Sequence, residues 1–256
     1  MGRNPSENAN KTAVILGAAS TVARGITAEL ARRGYALVLA DFDHEENQRI
    51  AADTALRFNA QCHALPFDAT ACATHAAFVE ECTRMLGGVP DGVVLCFGYM
   101  PEQAEAQRDF AKAQRAIDTN LTGAISVLEL FAGAFEQRGS GFIAGLSSVA
   151  GDRGRKANYI YGASKAGFTC FLSGLRNRLS AAGVRVLTVK PGFMDTKMTY
   201  GMPLPGPLVA TPEQAACAIV RALEDGKDEI YVRFFWRYIM LVIRHIPERI
   251  FKKMSI

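Results

Sequence analysis

A strand, a helix and a second strand are written into residues 12–41. "TAVILG" is a short apolar run ending in glycine, "TVARGITAELARRG" follows with helical periodicity and a glycine stop, and "ALVLAD" is a second apolar run. The alternation then continues. Helices over 44–59 and 70–86 separate the runs "CHALPF" and "DGVVLCFG", and two helical stretches over 103–118 and 120–137 precede "SGFIAGLSS". A long helix over 158–181 leads to "VRVLTVKPG", and a helix over 212–225 leads to "EIYV". Apolar strands alternating with helices of this length build a parallel sheet covered on both faces. The expected fold is therefore α/β, a single-domain Rossmann-like doubly wound parallel sheet over 12–232. A flexible N-terminus at 1–11 precedes it, and an amphipathic helical tail at 233–256 follows.

In such a sheet, ligands settle beyond the carboxyl ends of the strands. Here those ends are Gly17, Asp41, Asp68, Gly98, Ser148 and Pro191, which topology brings to one edge. The loop "LGAASTVARG" stands where a dinucleotide loop belongs, with Gly17 available for the turn and a helix N-terminus following for a pyrophosphate. An ordinary strand-to-helix turn would look similar, because Thr21 and Ala23 occupy the later small positions. Asp41 at the end of the second strand shifts the balance. A carboxylate there accepts hydrogen bonds from ribose hydroxyls and repels a 2'-phosphate, and Ser20 rather than a basic residue sits in the loop. NAD(H) is expected in preference to NADP(H).

The stretch "ANYIYGASKAG" places two tyrosines ahead of a lysine. Residues four apart share a helix face, so Tyr161 projects with Lys165 and Tyr159 does not. A cationic lysine one turn away would favour the phenolate and lower the Tyr161 pKa.

The chain has 256 residues, 49% of them hydrophobic, and no linker or repeat interrupts it. That is enough for one large core. The formal charge of +4 permits an anionic ligand, and the basic residues form no nucleic-acid-binding pattern. Cys62, Cys72, Cys82, Cys96, Cys170 and Cys217 lack metal-site spacing, which suits a reducing cytoplasm and predicts neither a metal nor a disulfide. The opening "MGRNPSENANK" has no apolar signal segment, although Gly2 and Ser6 formally fit a myristoylation pattern.

In combination these pieces resemble the short-chain dehydrogenase/reductase family, whose hallmark is Tyr-x-x-x-Lys with a serine thirteen residues before the tyrosine. "LSSVAGDRGRKANYIYGASKAG" meets it with Ser148, Tyr161 and Lys165, and Asn120 in "DTNLTG" matches the family's helix asparagine. The resemblance makes these four catalytic: Tyr161 as proton donor, Lys165 beside it and on the nicotinamide ribose, Ser148 on the carbonyl oxygen, and Asn120 on a relay water. It also implies cofactor contacts from Gly17, Ala19, Ser20, Thr21 and Val22 in the first loop, and from Asp41 and Phe42 after the second strand. Asp68 and Ala69 would meet the adenine, and Cys96, Phe97 and Gly98 would follow the fourth strand. The segment "PGFMDT", through Pro191, Gly192, Met194 and Thr196, would close over the nicotinamide, with Tyr161 and Lys165 completing the set. Two positions depart from the family pattern: Thr21 and Ala23 replace glycines, and "LCFG" replaces Asn-Asn-Ala-Gly.

"AGDRGRKANYIYGASKAG" and the ending "WRYIMLVIRHIPERIFKKM" look more particularly like reductases of a decaprenylphosphoryl-2-keto-pentose. That resemblance implies NADH-dependent reduction of a sugar ketone carried on a polyprenyl phosphate, and an oxidase partner that supplies it. Another hydrophobic or sugar ketone, or a noncatalytic nucleotide-binding scaffold, is the alternative. Arg153, Arg155 and Lys156 lie between Ser148 and Tyr161, which suits either phosphate contacts or plain solvent exposure. Residues 234–246 are apolar, interrupted by Arg237 and Arg244, and too short to span a bilayer. They suit a membrane surface, the cover of a hydrophobic tunnel, or a lid or contact within a homo-oligomer.

Overall fold

The computed structural model describes residues 11–196, 199–201 and 206–254. Its strands are β1 (Thr12–Leu16), β2 (Ala36–Asp41), β3 (Cys62–Pro66), β4 (Gly92–Leu95), β5 (Gly141–Leu146), β6 (Val184–Pro191) and β7 (Glu229–Val232). They form one sheet in the order β3-β2-β1-β4-β5-β6-β7, and every neighbouring pair is parallel. The chain begins near the middle, winds out to β3, then returns past β1 to β4 and winds out to β7. Its direction of winding reverses between β1 and β4, and the crevice at such a reversal is where ligands bind.

The helices are α1 (Thr21–Arg32), α2 (His44–Phe58), α3 (His75–Met85), α4 (Gln103–Ala106), α5 (Phe110–Ile117), α6 (Gly123–Arg138), α7 (Tyr159–Leu179), α8 (Pro212–Glu224), α9 (Phe235–His245) and α10 (Glu248–Phe251). Successive residues of β1 and β2 face opposite ways, and both ways are apolar. Ala13, Ile15, Leu37 and Leu39 pack with α1 and α8, whereas Val14, Leu16, Val38 and Ala40 pack with α3, α6 and α7. The two-sided apolar reading of these runs is what the parallel sheet requires.

Between 103 and 138 the structure divides the chain differently from the two stretches expected. α4 stands apart, and α5 runs into α6 through a π turn at Asp118–Thr122. A π turn adds one residue to a helical turn, and here the widened turn carries Asn120 with its side chain buried. The tail is likewise two helices. Ile246 is extended ahead of Pro247, as a residue preceding proline tends to be, and α10 starts afresh beyond it. Trp236 and Met240 of α9 join Val149 in a small cluster, with Phe193, Leu208 and Tyr231 against it. The tail thus lies on the carboxyl edge of the sheet. Among the described residues no helix is long and apolar enough to cross a membrane.

Candidate active site

A groove of about 1160 Å³ runs along the carboxyl edge, lined at one end by Asp41 and Phe42 and at the other by Leu146, Met194 and Thr196. Gly17 sits at the turn out of β1 with φ +80°, and a Cβ there would lie 2.5 Å from the Phe97 nitrogen. Only glycine fits this position. Ser20 caps α1 by accepting from the Ala23 N–H at 3.3 Å. The Thr21 and Val22 N–H groups then remain as unpaired donors of the first turn, and both residues line the groove. Thr21 is exposed on the groove wall, while Ala23 is wholly buried beneath it.

Asp41 is buried, and its carboxylate does a second job: Oδ2 accepts from the Ala19 N–H at 2.9 Å and Oδ1 from the Asp43 N–H at 3.1 Å. It ties the glycine loop to β2 and still has lone pairs free for ligand hydroxyls. The cations nearby are already engaged. Arg24 reaches Glu46 at 2.6 Å, and Arg49 is paired with Glu45 and Glu46. Further along, Asp68 accepts from the Thr70 N–H at 2.8 Å and hydroxyl at 2.7 Å, bonds that hold its carboxyl below the usual range. Ala69, Cys96, Phe97 and Gly98 complete this stretch of wall. Orphan helix N–H groups at mid-groove and a buried carboxylate at one end fit an extended dinucleotide, pyrophosphate against α1 and adenosine ribose at Asp41.

The four expected catalytic residues gather behind Gly98 and Leu146. Lys165 donates to the Leu146 carbonyl at 2.9 Å, and its Nζ lies 5.9 Å from the centre of the Tyr161 ring. A Cβ built on Gly98 would lie 3.2 Å from Asn120 Oδ1 and 3.4 Å from Lys165 Nζ, so the bare glycine faces both. Asn120 accepts from the Tyr99 N–H at 2.7 Å and donates to the Tyr99 carbonyl and to Ser164 Oγ, at 2.8 and 2.9 Å. Ser147 is turned inward and hydrogen-bonds Lys165 O and Thr169 Oγ1, at 3.0 and 2.6 Å, leaving Ser148 as the half-buried hydroxyl beside Tyr161. Backbone contact sets this arrangement. A Cβ on Gly162 of α7 would meet the Ala150 carbonyl at 2.8 Å, so the turn after Ser148 rests directly on the helix that carries Tyr161. Tyr159 is 45% exposed and Tyr161 only 8%, as their spacing from Lys165 implied.

Two expectations change. Tyr161 is not lowered: burial pushes its phenol up to about 12, with the Ser148 hydroxyl pulling the other way. Burial also brings Lys165 down to about 8, against the opposing effect of Cys96. A lysine directed at a carbonyl has less to offer the phenolate than one directed at the hydroxyl. Arg153 is not open to a substrate phosphate. It donates to the Ile243 and Ile246 carbonyls at 2.5 and 2.6 Å, pairs with Glu248 at 3.0 Å, and lies 3.6 Å from the centre of the Phe251 ring. It closes the C-terminus of α9, where helix carbonyls lack partners. Gly192 is pressed against the Trp236 indole, which would lie 2.0 Å from a Cβ there, while Met194 and Thr196 of the same segment line the groove. Lys156 is exposed, and Arg155 is half-buried with an unpaired Nε.

Several groove residues carried no signal in the sequence. Tyr99, Gln114, Arg115, Thr119 and Leu146 line it, and the Arg115 guanidinium lies 4.6 Å from the centre of the Tyr99 ring. Arg24 is the exception, since its place one turn into α1 was readable from the glycine loop. Among the described residues no three His, Cys, Asp or Glu side chains gather as a metal site.

Residues 11–203 match the short chain dehydrogenase family. The chain belongs to the short-chain dehydrogenase/reductase family. It is 37% identical over 232 residues to an uncharacterized oxidoreductase of Mycobacterium tuberculosis, covering 90% of this chain and 92% of that protein. With an uncharacterized oxidoreductase of Streptomyces coelicolor it shares 32% identity over 247 residues, 96% of each. An actinorhodin polyketide ketoreductase solved with NADPH has the same fold, with a TM-score of 0.79 at 20% identity over 88% of this chain and 97% of that one. As a short-chain dehydrogenase/reductase, the chain is an oxidoreductase that works on a carbonyl or alcohol group with a nicotinamide dinucleotide.

Proposed function

We propose that this short-chain dehydrogenase/reductase uses NADH to reduce the 2-keto group of a pentose linked to a polyprenyl phosphate, with Asn120, Ser148, Tyr161 and Lys165 as its catalytic residues. The bound dinucleotide supplies the hydride. Every other requirement falls on the chain. Ser148 holds the ketone oxygen, and Tyr161 gives it a proton as charge develops there. With burial pushing its pKa up to about 12, Tyr161 is a phenol at neutral pH and stands ready as the acid. That favours reduction, because oxidation would need the costly phenolate. Lys165 holds its charge next to the phenol, and Asn120 fixes the Tyr99 backbone at the mouth.

One observation carries the choice of substrate: the two segments that resemble keto-pentose reductases form a single unit. The turn after Ser148 and the tail touch through Val149 with Trp236 and Met240, and through Arg153 with α9 and α10. Both border the catalytic edge. The preference for NADH rests on Asp41 and on Arg24 and Arg49 being paired with acids.

NADH consumption tests the reading against three substrates: a short prenylphosphoryl-2-keto-pentose, the free keto-pentose and a simple hydrophobic ketone. The expected result is a kcat/KM at least tenfold higher for the first. Equal turnover of all three would replace it with a general carbonyl reductase. Tight NADH binding without turnover of any ketone would favour a nucleotide-binding scaffold.

A further inference from the structure

α9 has two apolar faces, and the protein covers only one. Trp236, Met240 and Ile243 share the side packed against Val149, Phe193 and Leu208. Phe234, Tyr238, Leu241 and Val242 fall on the opposite side by helical spacing, and they are 76, 61, 54 and 65% exposed. Ile250 in α10 is 55% exposed beyond them. Exposed apolar stripes of this kind mark an interaction site.

Charge says what the partner is. Arg237, Arg244, Arg249, Lys252 and Lys253 are all exposed, and no side-chain hydrogen bond or ion pair holds them among the described residues. Glu248 is the one acidic residue between 233 and 254, and Arg153 neutralises it at 3.0 Å. Arg237 and Arg244, seven apart, stand on one flank of the stripe. Apolar residues along one helix face, with unpaired cations beside them and beyond the helix end, complement an anionic lipid surface: the side chains enter the headgroup boundary while the cations meet phosphates. We propose that the outward face of α9 and α10 docks the protein on a bilayer containing anionic lipid. The inward face of the same helix touches the residue after Ser148, so docking brings the catalytic edge to the membrane, where a lipid-carried substrate presents its head group. The docking itself does not depend on the substrate reading, and vesicles without substrate test it alone.

Flotation of the full chain with vesicles of phosphatidylcholine, with and without 30% phosphatidylglycerol, decides the matter. Expected is recovery with the mixed vesicles only, falling at least tenfold in partition coefficient in 0.5 M NaCl. Replacing Tyr238, Leu241 and Val242 together by serine should lower it tenfold or more, with NADH affinity unchanged. Should that variant fail to fold, Lys252→Glu with Lys253→Glu gives a second test on exposed charges and should lower it several-fold. Absence of recovery with anionic vesicles overturns the proposal. So does recovery that neither variant reduces. A serine variant that dissociates from dimer to monomer with unaltered vesicle recovery would assign the face to a second copy of the chain, which also overturns it.

Discussion

At the scale of single residues, Tyr161 and Lys165 differ from their solution counterparts for one reason, burial, acting in opposite directions on opposite charges. The phenol goes up to about 12 and the ammonium comes down to about 8. The lysine is therefore charged below pH 8 and loses its charge above it, while the tyrosine stays protonated throughout that window. Reductive kcat/KM should be flat at neutral pH and fall above about pH 8, approaching about tenfold per pH unit. A limb starting near pH 10 would mean that Lys165 is not depressed. Replacing Tyr161 with Phe should cost at least about a hundredfold in turnover while NADH still binds, because the ring remains and only the donor goes. Tyr159→Phe, on an exposed ring, should change turnover less than about twofold. Similar losses at the two positions would remove the assignment. Asp41 makes a further prediction: NADH should bind at least about tenfold more tightly than NADPH, about 1.4 kcal/mol, in paired titrations. Asp41→Ala should weaken NADH more than removal of a ribose contact alone, since it also releases the Ala19 and Asp43 N–H groups.

At the scale of elements, the tail is held by a guanidinium that closes a helix and an indole that covers a glycine. Arg153→Ala removes charge-assisted bonds to the Ile243 and Ile246 carbonyls and to Glu248. Each such bond contributes about 1.5–3 kcal/mol. Trp236 is the only tryptophan in the chain and is 3% exposed, so its fluorescence reports the docking of α9 directly. The variant should show red-shifted emission and a lower urea midpoint; unaltered emission would mean that α9 stays docked without Arg153. This element also marks the limit of what the sequence discloses. The central strands β1, β2, β4 and β5 were legible because burial on both faces leaves an unbroken apolar run, and Tyr161 was separable from Tyr159 because helical spacing is local. Arg153 was not legible: an arginine in a polar loop looks the same whether it meets solvent, a phosphate or, as here, carbonyls some ninety residues away. The pairing of Gly192 with Trp236 is hidden in the same manner, and the π turn at Asn120 leaves no trace in a periodicity that α5 and α6 both satisfy. Groove-lining residues such as Tyr99 and Thr119 sit in connecting or widened backbone, where no pattern selects them.

Across the whole molecule, the parallel sheet keeps the two halves of the site apart. Asp41 ends β2 and Gly192 follows the end of β6, four strand positions away in the sheet, which at about 4.8 Å each is about 19 Å. The two share no hydrogen-bond partner, and the α9 cluster lies entirely on the β6 side. Trp236→Ala empties a buried site and should destabilise the fold by about 3–5 kcal/mol. Its effect on ketone turnover should exceed its effect on NADH affinity, because Val149 adjoins Ser148 while the buried Asp41 end of the groove is untouched. Combined with Asp41→Ala, the losses in unfolding free energy should therefore add to within about 0.5 kcal/mol, as they do for distant sites without common partners. Urea denaturation of the two single variants and the double variant closes that cycle. An interaction well above 1 kcal/mol would show that docking of the tail reaches across the sheet to the dinucleotide end, and the separation of the two halves would then fail.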